Sequence, residues 1–112
     1  MRDDRLRLLD ILDSIAQIEQ QSAKGREAFF QDPLIQVWMR HHLLIIGEAA
    51  AGLSREMRER NPEVSWRAAI AMRNIIVHEY FGVDPRQVWD AVTQDLPKLR
   101  RDVEEILEGL PG

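Results

Sequence analysis

The sequence predicts an all-α protein, a small antiparallel bundle of four to five helices. Three observations carry that prediction. Apolar residues recur at helical spacing along nearly the whole chain. No stretch alternates apolar and polar residues as a half-buried strand would. The breaks between periodic stretches are helix starts and stops, namely two Asp-Pro pairs, an Asn-Pro pair and well-placed glycines.

The elements follow in order. From Asp3 to about Lys24, a stripe of Leu8, Ile11, Leu12, Ile15 and Ile18 marks the first helix, and Gly25 is its expected stop. A short turn is expected around Glu27 to Phe30. Asp32-Pro33 supplies a cap followed by proline at the first helical position, and the helix it opens is expected to run to Arg60 through Gly47 and Gly52. Asn61-Pro62 breaks it. Helix resumes near Ser65 and is expected to close at Phe81-Gly82, with the glycine in the left-handed conformation. Asp84-Pro85 opens the last helix, which should run to Leu107 with Val88, Trp89, Val92, Leu96, Leu99, Val103 and Ile106 facing inward, kinked at Pro97.

Length and composition narrow the function. The 112 residues fit one domain spanning the whole chain, and 45% hydrophobic with 30% charged residues is an ordinary globular balance. Without cysteine, disulfides, thiolate metal sites and cysteine nucleophiles are excluded. A charged start, Met-Arg-Asp-Asp-Arg, does not resemble a secretory signal, and the longest apolar run, Leu43 to Leu53, is broken by Glu48 and too short to span a membrane. A cytoplasmic location with no membrane partner is the expectation. The net charge of −4 argues against a duplex-DNA binder. Thirteen of the 15 basic residues are nonetheless arginine, whose planar fork matches phosphate oxygens, so a local phosphate site stays open.

One segment concentrates chemistry: Met72-Arg73-Asn74-Ile75-Ile76-Val77-His78-Glu79-Tyr80. On a helix, Ala68, Ala69, Met72, Ile75 and Ile76 cover one side and are expected to face the core. Arg73, Asn74, His78 and Tyr80 spread over an arc of roughly 160° on the other. A histidine can exchange a proton near neutral pH, an arginine can hold a phosphate, an asparagine can orient either, and a tyrosine can stack on a base. Such a set suits attack of an RNA 2′-hydroxyl on its own phosphate without a metal or other cofactor. On spacing alone, a plain surface histidine and arginine in ion pairs with Glu79 or Glu48 is the favoured reading. Spacing alone leads no further than a phosphate-binding helical cleft with a histidine.

The ordered combination of motifs leads further. Arg-Asn-x3-His-x-Tyr resembles the signature of the HEPN superfamily, in particular the HepT-like ribonuclease toxins that pair with MntA-type nucleotidyltransferase antitoxins. Ile46-Gly47-Glu48-Ala49-Ala50, Pro62-Glu63-Val64-Ser65-Trp66, Phe81-Gly82-Val83-Asp84, Val88-Trp89 and Asp95-Leu96-Pro97 extend the resemblance over essentially the whole chain. It implies a HEPN-like homodimer whose motif helices meet in one cleft. Arg73 and His78 would form the catalytic pair, with Asn74 in support. Tyr80 would be the tyrosine to which the antitoxin attaches AMP. RNA is the implied substrate. Glu79 departs from the family pattern, where glycine is frequent.

Glu48 interrupts an apolar run, and a salt bridge that positions Arg73 is its expected role. His41-His42 lack further ligands at metal-binding spacing and are assigned a structural or surface role. Trp38, Trp66 and Trp89 are expected as core or interface anchors, Trp66 at the start of the motif helix. Arg55, Arg58 and Arg60 alternate with Glu56 and Glu59 as a solvated face. The alternative to a nuclease is a non-catalytic helical module that docks a nucleotidyltransferase or its nucleotide.

Overall fold

A computed structural model describes residues 3–111, and among these there is no strand. The helices are α1 (Asp4–Ser22), α2 (Arg26–Gln31), α3 (Pro33–Gly52), α4 (Arg55–Arg60), α5 (Trp66–His78), α6 (Pro85–Asp90) and α7 (Leu96–Gly109). A π-helical turn, Ala91–Asp95, joins α6 to α7 in one continuous rod. The expected four to five helices are therefore four long rods with two six-residue helices, α2 and α4, between them.

Local chemistry sets the ends. Asp3, Asp32, Ser54 and Asp84 each accept a backbone N–H of the first turn they cap. Gly25 follows α1 with φ of 98°, a conformation that suits glycine. The core is one cluster in which Leu8, Ile11, Ile15 and Ile18 of α1 meet Met39, Leu43 and Ile46 of α3 and Leu96, Leu99 and Val103 at the C-terminal end. Phe29 locks α2 onto α6, its ring centroid 4.9 Å from Phe30 and 5.1 Å from Trp89.

Several expectations change. The helix from Pro33 does not reach Arg60, because it stops at Gly52 and Leu53 turns extended. Two hydrogen bonds hold the break: Asp4 accepts from the Ser54 backbone N–H at 2.8 Å and from its hydroxyl at 2.6 Å. The Arg7 guanidinium also fills the space a Cβ on Gly52 would need. The motif helix ends at His78 rather than at Phe81-Gly82. Glu79 leaves helical geometry, Tyr80 and Phe81 are exposed with no core to hold another turn, and the Gly82 N–H closes a tight turn on Glu79 O at 2.8 Å without a left-handed φ. The distortion at Pro97 is spread over the π turn, where the Leu96 N–H reaches back to Ala91 O, widening the coil ahead of the proline ring. Of the three tryptophans expected in the core or at an interface, Trp38 is not in the core. Trp66 and Trp89 are buried, but Trp38 keeps 39% of its surface exposed.

The arrangement around α5 positions the site. α3 packs along α1 on one side and α5 on another, α7 packs on α1, and α5 meets the other helices only marginally. Consequently Ile76 is buried and Ala69 and Met72 half-buried, but Ala68 is exposed and Ile75 only half-covered. The face expected to be wholly in the core is therefore partly open.

Candidate functional site

The site begins with a missing side chain. Gly47 of α3 lies directly against the Arg73 side chain of α5, where any Cβ would collide with Arg73 Cβ. This close crossing brings the base of Arg73 beside the next residue of α3, Glu48. Arg73 Nη1 donates to Glu48 Oε1 at 2.9 Å, and Arg73 Nε donates to Asn74 Oδ1 at 2.9 Å. The guanidinium is held by two of its five N–H groups, leaving three for a ligand. Arg73 is 21% exposed and Glu48 59%, so Glu48 is both solvated and paired.

His78 stands one turn beyond Asn74 at the C-terminal end of α5. It is exposed and makes no hydrogen bond or ion pair among the described residues. The structure thus links Glu48, Arg73 and Asn74 directly and leaves His78, one turn beyond Asn74, free among the described residues and unpaired with Glu79. Tyr80 lies outside the helix, so it does not share the α5 face on which spacing would put it. Its ring sits under the Arg40 guanidinium, 5.6 Å from Cζ to centroid, with the Phe81 ring edge-on at 5.3 Å.

The histidine pair divides as its sequence suggests. His42 is buried and its Nδ1 shares a hydrogen bond with Ser14 Oγ at 3.0 Å, while His41 is exposed. Burial, aided by the neighbouring His41, lowers the His42 pKa, and Asp13 opposes the shift. Among the described residues no three His, Asp or Glu side chains are grouped to hold a metal ion. Arg55–Glu59 and Arg60–Glu56 form exposed pairs at 3.7 and 3.6 Å on α4.

Arg40 is the residue that the sequence reading passed over. The signal was present: in an antiparallel crossing at Gly47 and Arg73, two turns back along α3 is Arg40 and two turns on from Arg73 is Tyr80.

Residues 11–106 match the family model described as Ribonuclease HepT-like. The chain belongs to the HepT-like ribonuclease family. It is similar to a provisionally named RNase of Caldanaerobacter subterraneus subsp. tengcongensis, with 37% identity over 81% of each chain. A provisionally named RNase of Methanocaldococcus jannaschii shares 36% identity over 92% of this chain and 95% of its own. A protein of Thermococcus cleftensis named Probable ribonuclease HepT shares 36% over 88% of this chain and 91% of its own. No solved structure matches the chain. Membership identifies this HepT-like protein as a ribonuclease, with the all-helical fold that its HEPN-type motifs imply.

Proposed function

We propose that this HepT-like protein is the toxin of a toxin–antitoxin pair and cuts RNA internally, without a metal, by attack of a 2′-hydroxyl on the adjacent phosphate. The observation that carries the reading is the Arg73 guanidinium, fixed by Glu48 and Asn74 at 2.9 Å each, on the helix that ends in an exposed, unpaired His78 one turn beyond Asn74. Holding the guanidinium in advance reserves its free N–H groups for a phosphate and for the charge that builds on it. His78 serves as the proton carrier. In the step itself the 2′-oxygen bonds to phosphorus, the bond from phosphorus to the 5′-oxygen breaks, the 2′ proton is taken up by a base and the 5′-oxygen receives a proton. The products are a 2′,3′-cyclic phosphate and a 5′-hydroxyl.

The partly open face of α5 supports a homodimer in which two such helices share one cleft. Two chains would double the arginines at that cleft, which favours a phosphate strand although each chain carries a net charge of −4. Tyr80, exposed and within the same segment, is the proposed acceptor of AMP from a MntA-like nucleotidyltransferase antitoxin. The modification adds bulk and negative charge where an RNA phosphate must approach. The action is placed in the cytoplasm, where RNA is.

The test is cleavage of bulk RNA in EDTA by purified protein shown by intact mass to carry no AMP. Wild type is expected to cleave, leaving cyclic-phosphate ends, and His78→Ala is expected not to. Cleavage that requires added metal, ends carrying a plain 3′-hydroxyl, or full activity in His78→Ala would each overturn the mechanism.

A further inference from the structure

A groove of about 350 Å3 runs between the first half of α3 and the end of α5 and has no part in the step above. Trp38, Arg40, His41 and Tyr80 line it, together with Leu44 and Ile76. We propose that this groove holds one base, with its phosphate, of the single-stranded RNA cut at Arg73. The proposal rests on the RNA-cleaving reading and adds to it a subsite that selects the nucleotide beside the scissile bond.

Size, rings and charge point the same way. The volume is at the small end of ligand pockets, the scale of a nucleotide rather than of a folded partner. Trp38 is fixed but not hidden: its Nε1 donates to Gln17 O at 3.2 Å while 39% of the residue stays exposed. Trp66, by contrast, is buried with its Nε1 donating to Asn61 O at 3.1 Å, the arrangement of a packing residue. Tyr80 is 51% exposed beside the groove. Solvent-facing rings held in place are what an unstacked RNA base needs, since every base offers a π face.

Arg40 supplies the charge. It makes no hydrogen bond or ion pair among the described residues and is positioned only by the Tyr80 ring. Among the described residues, no acidic side chain lines the groove. Arg73 shares its charge with Glu48, whereas Arg40 keeps its own for a phosphate, the contact that sets register along a strand. Two turns of α3 separate Arg40 from Gly47, about 10 Å, so the groove meets a nucleotide next to the one held at Arg73.

The experiment uses a 2′-O-methyl RNA hexanucleotide of mixed sequence, which lacks the attacking hydroxyl and stays intact whether or not the protein cleaves. Titrated into the wild-type protein, it should quench tryptophan emission saturably. Trp38→Phe, which keeps a ring but removes the reporting indole, should lose that quenching although Trp66 and Trp89 remain. Arg40→Ala should weaken binding about tenfold, with the exposed Arg67→Ala unchanged. In cleavage of natural RNA, Trp38→Ala should raise KM and alter which bases flank the cuts with kcat retained, and Trp38→Phe should restore both. Absence of saturable quenching, quenching that survives Trp38→Phe, or unchanged binding by Arg40→Ala would each overturn the subsite. Binding without any cleavage would uphold the groove and remove the cutting mechanism, whereas cleavage without quenching would do the reverse.

Discussion

Gly47 and Arg73 occupy one space: a Cβ added to the glycine would overlap the arginine's own Cβ and come within 2.8 Å of the Ala69 carbonyl oxygen. The α3–α5 crossing, and with it the placing of the guanidinium beside Glu48, depends on hydrogen being the side chain at position 47.

Gly47→Ala should therefore push the helices apart. The expected cost is about 1–3 kcal/mol of stability, as for other overpacked contacts. RNA cleavage should fall further than the folded fraction does. Urea denaturation beside cleavage rates checks this, and a variant with both properties unchanged would show that the crossing tolerates a methyl group.

Glu48→Gln separates positioning from folding. The pair is largely solvated on the Glu48 side, so its loss should change stability by no more than about 1 kcal/mol. Cleavage should drop by about tenfold to a hundredfold as Arg73 loses its fixed orientation. Equal activity in the variant and the wild type, both folded by circular dichroism, would remove Glu48 from the site.

How much of this could be read from the sequence depended on whether a feature was local. The Asp32 and Asp84 caps, the α1 stripe and the inward face of the last rod follow from spacing within one segment, and the structure shows them. The Arg73–Glu48 pair was within reach because Glu48 breaks an apolar run. The break at Gly52–Ser54 was not, because Asp4, about fifty residues away in sequence, supplies the bonds that hold it. The end of α5 at His78 and the exposure of Trp38 escaped for a similar reason. Each depends on what neighbouring helices leave uncovered, and that is set by packing rather than by periodicity. Arg40 needed the crossing point first, since only then do positions on two helices acquire a register.

His42 makes stability depend on pH in a stated direction. Burial lowers its pKa, and its Nε2 has no hydrogen-bond partner among the described residues, so the folded state prefers the neutral ring. The unfolded chain takes up a proton below about pH 6.5. Stability should therefore fall as pH drops through that value and level off once the folded-state pKa is passed. Urea midpoints from pH 8 to 5 should show the decline, and His42→Asn should reduce it. A decline undiminished in that variant would assign it to other groups.

Tyr80→Phe tests the proposed silencing. Incubated with the cognate nucleotidyltransferase and ATP, the wild-type protein should gain the mass of AMP and stop cutting RNA. The variant should gain no mass and continue. An inactive, fully AMP-modified Tyr80→Phe would place the acceptor elsewhere.

The reliance of α5 chiefly on α3 has a consequence for how the molecule fails. The helix proposed to carry the chemistry is joined to the rest mainly along one seam, while α1, α3 and the C-terminal rod brace one another. Such a helix can detach as a unit, with its amides exchanging with solvent, while the other three rods keep their protection. Mild stress would then extinguish the enzyme before it melts the protein, and a partner that gripped α5 against its open side would make the same helix its sturdiest.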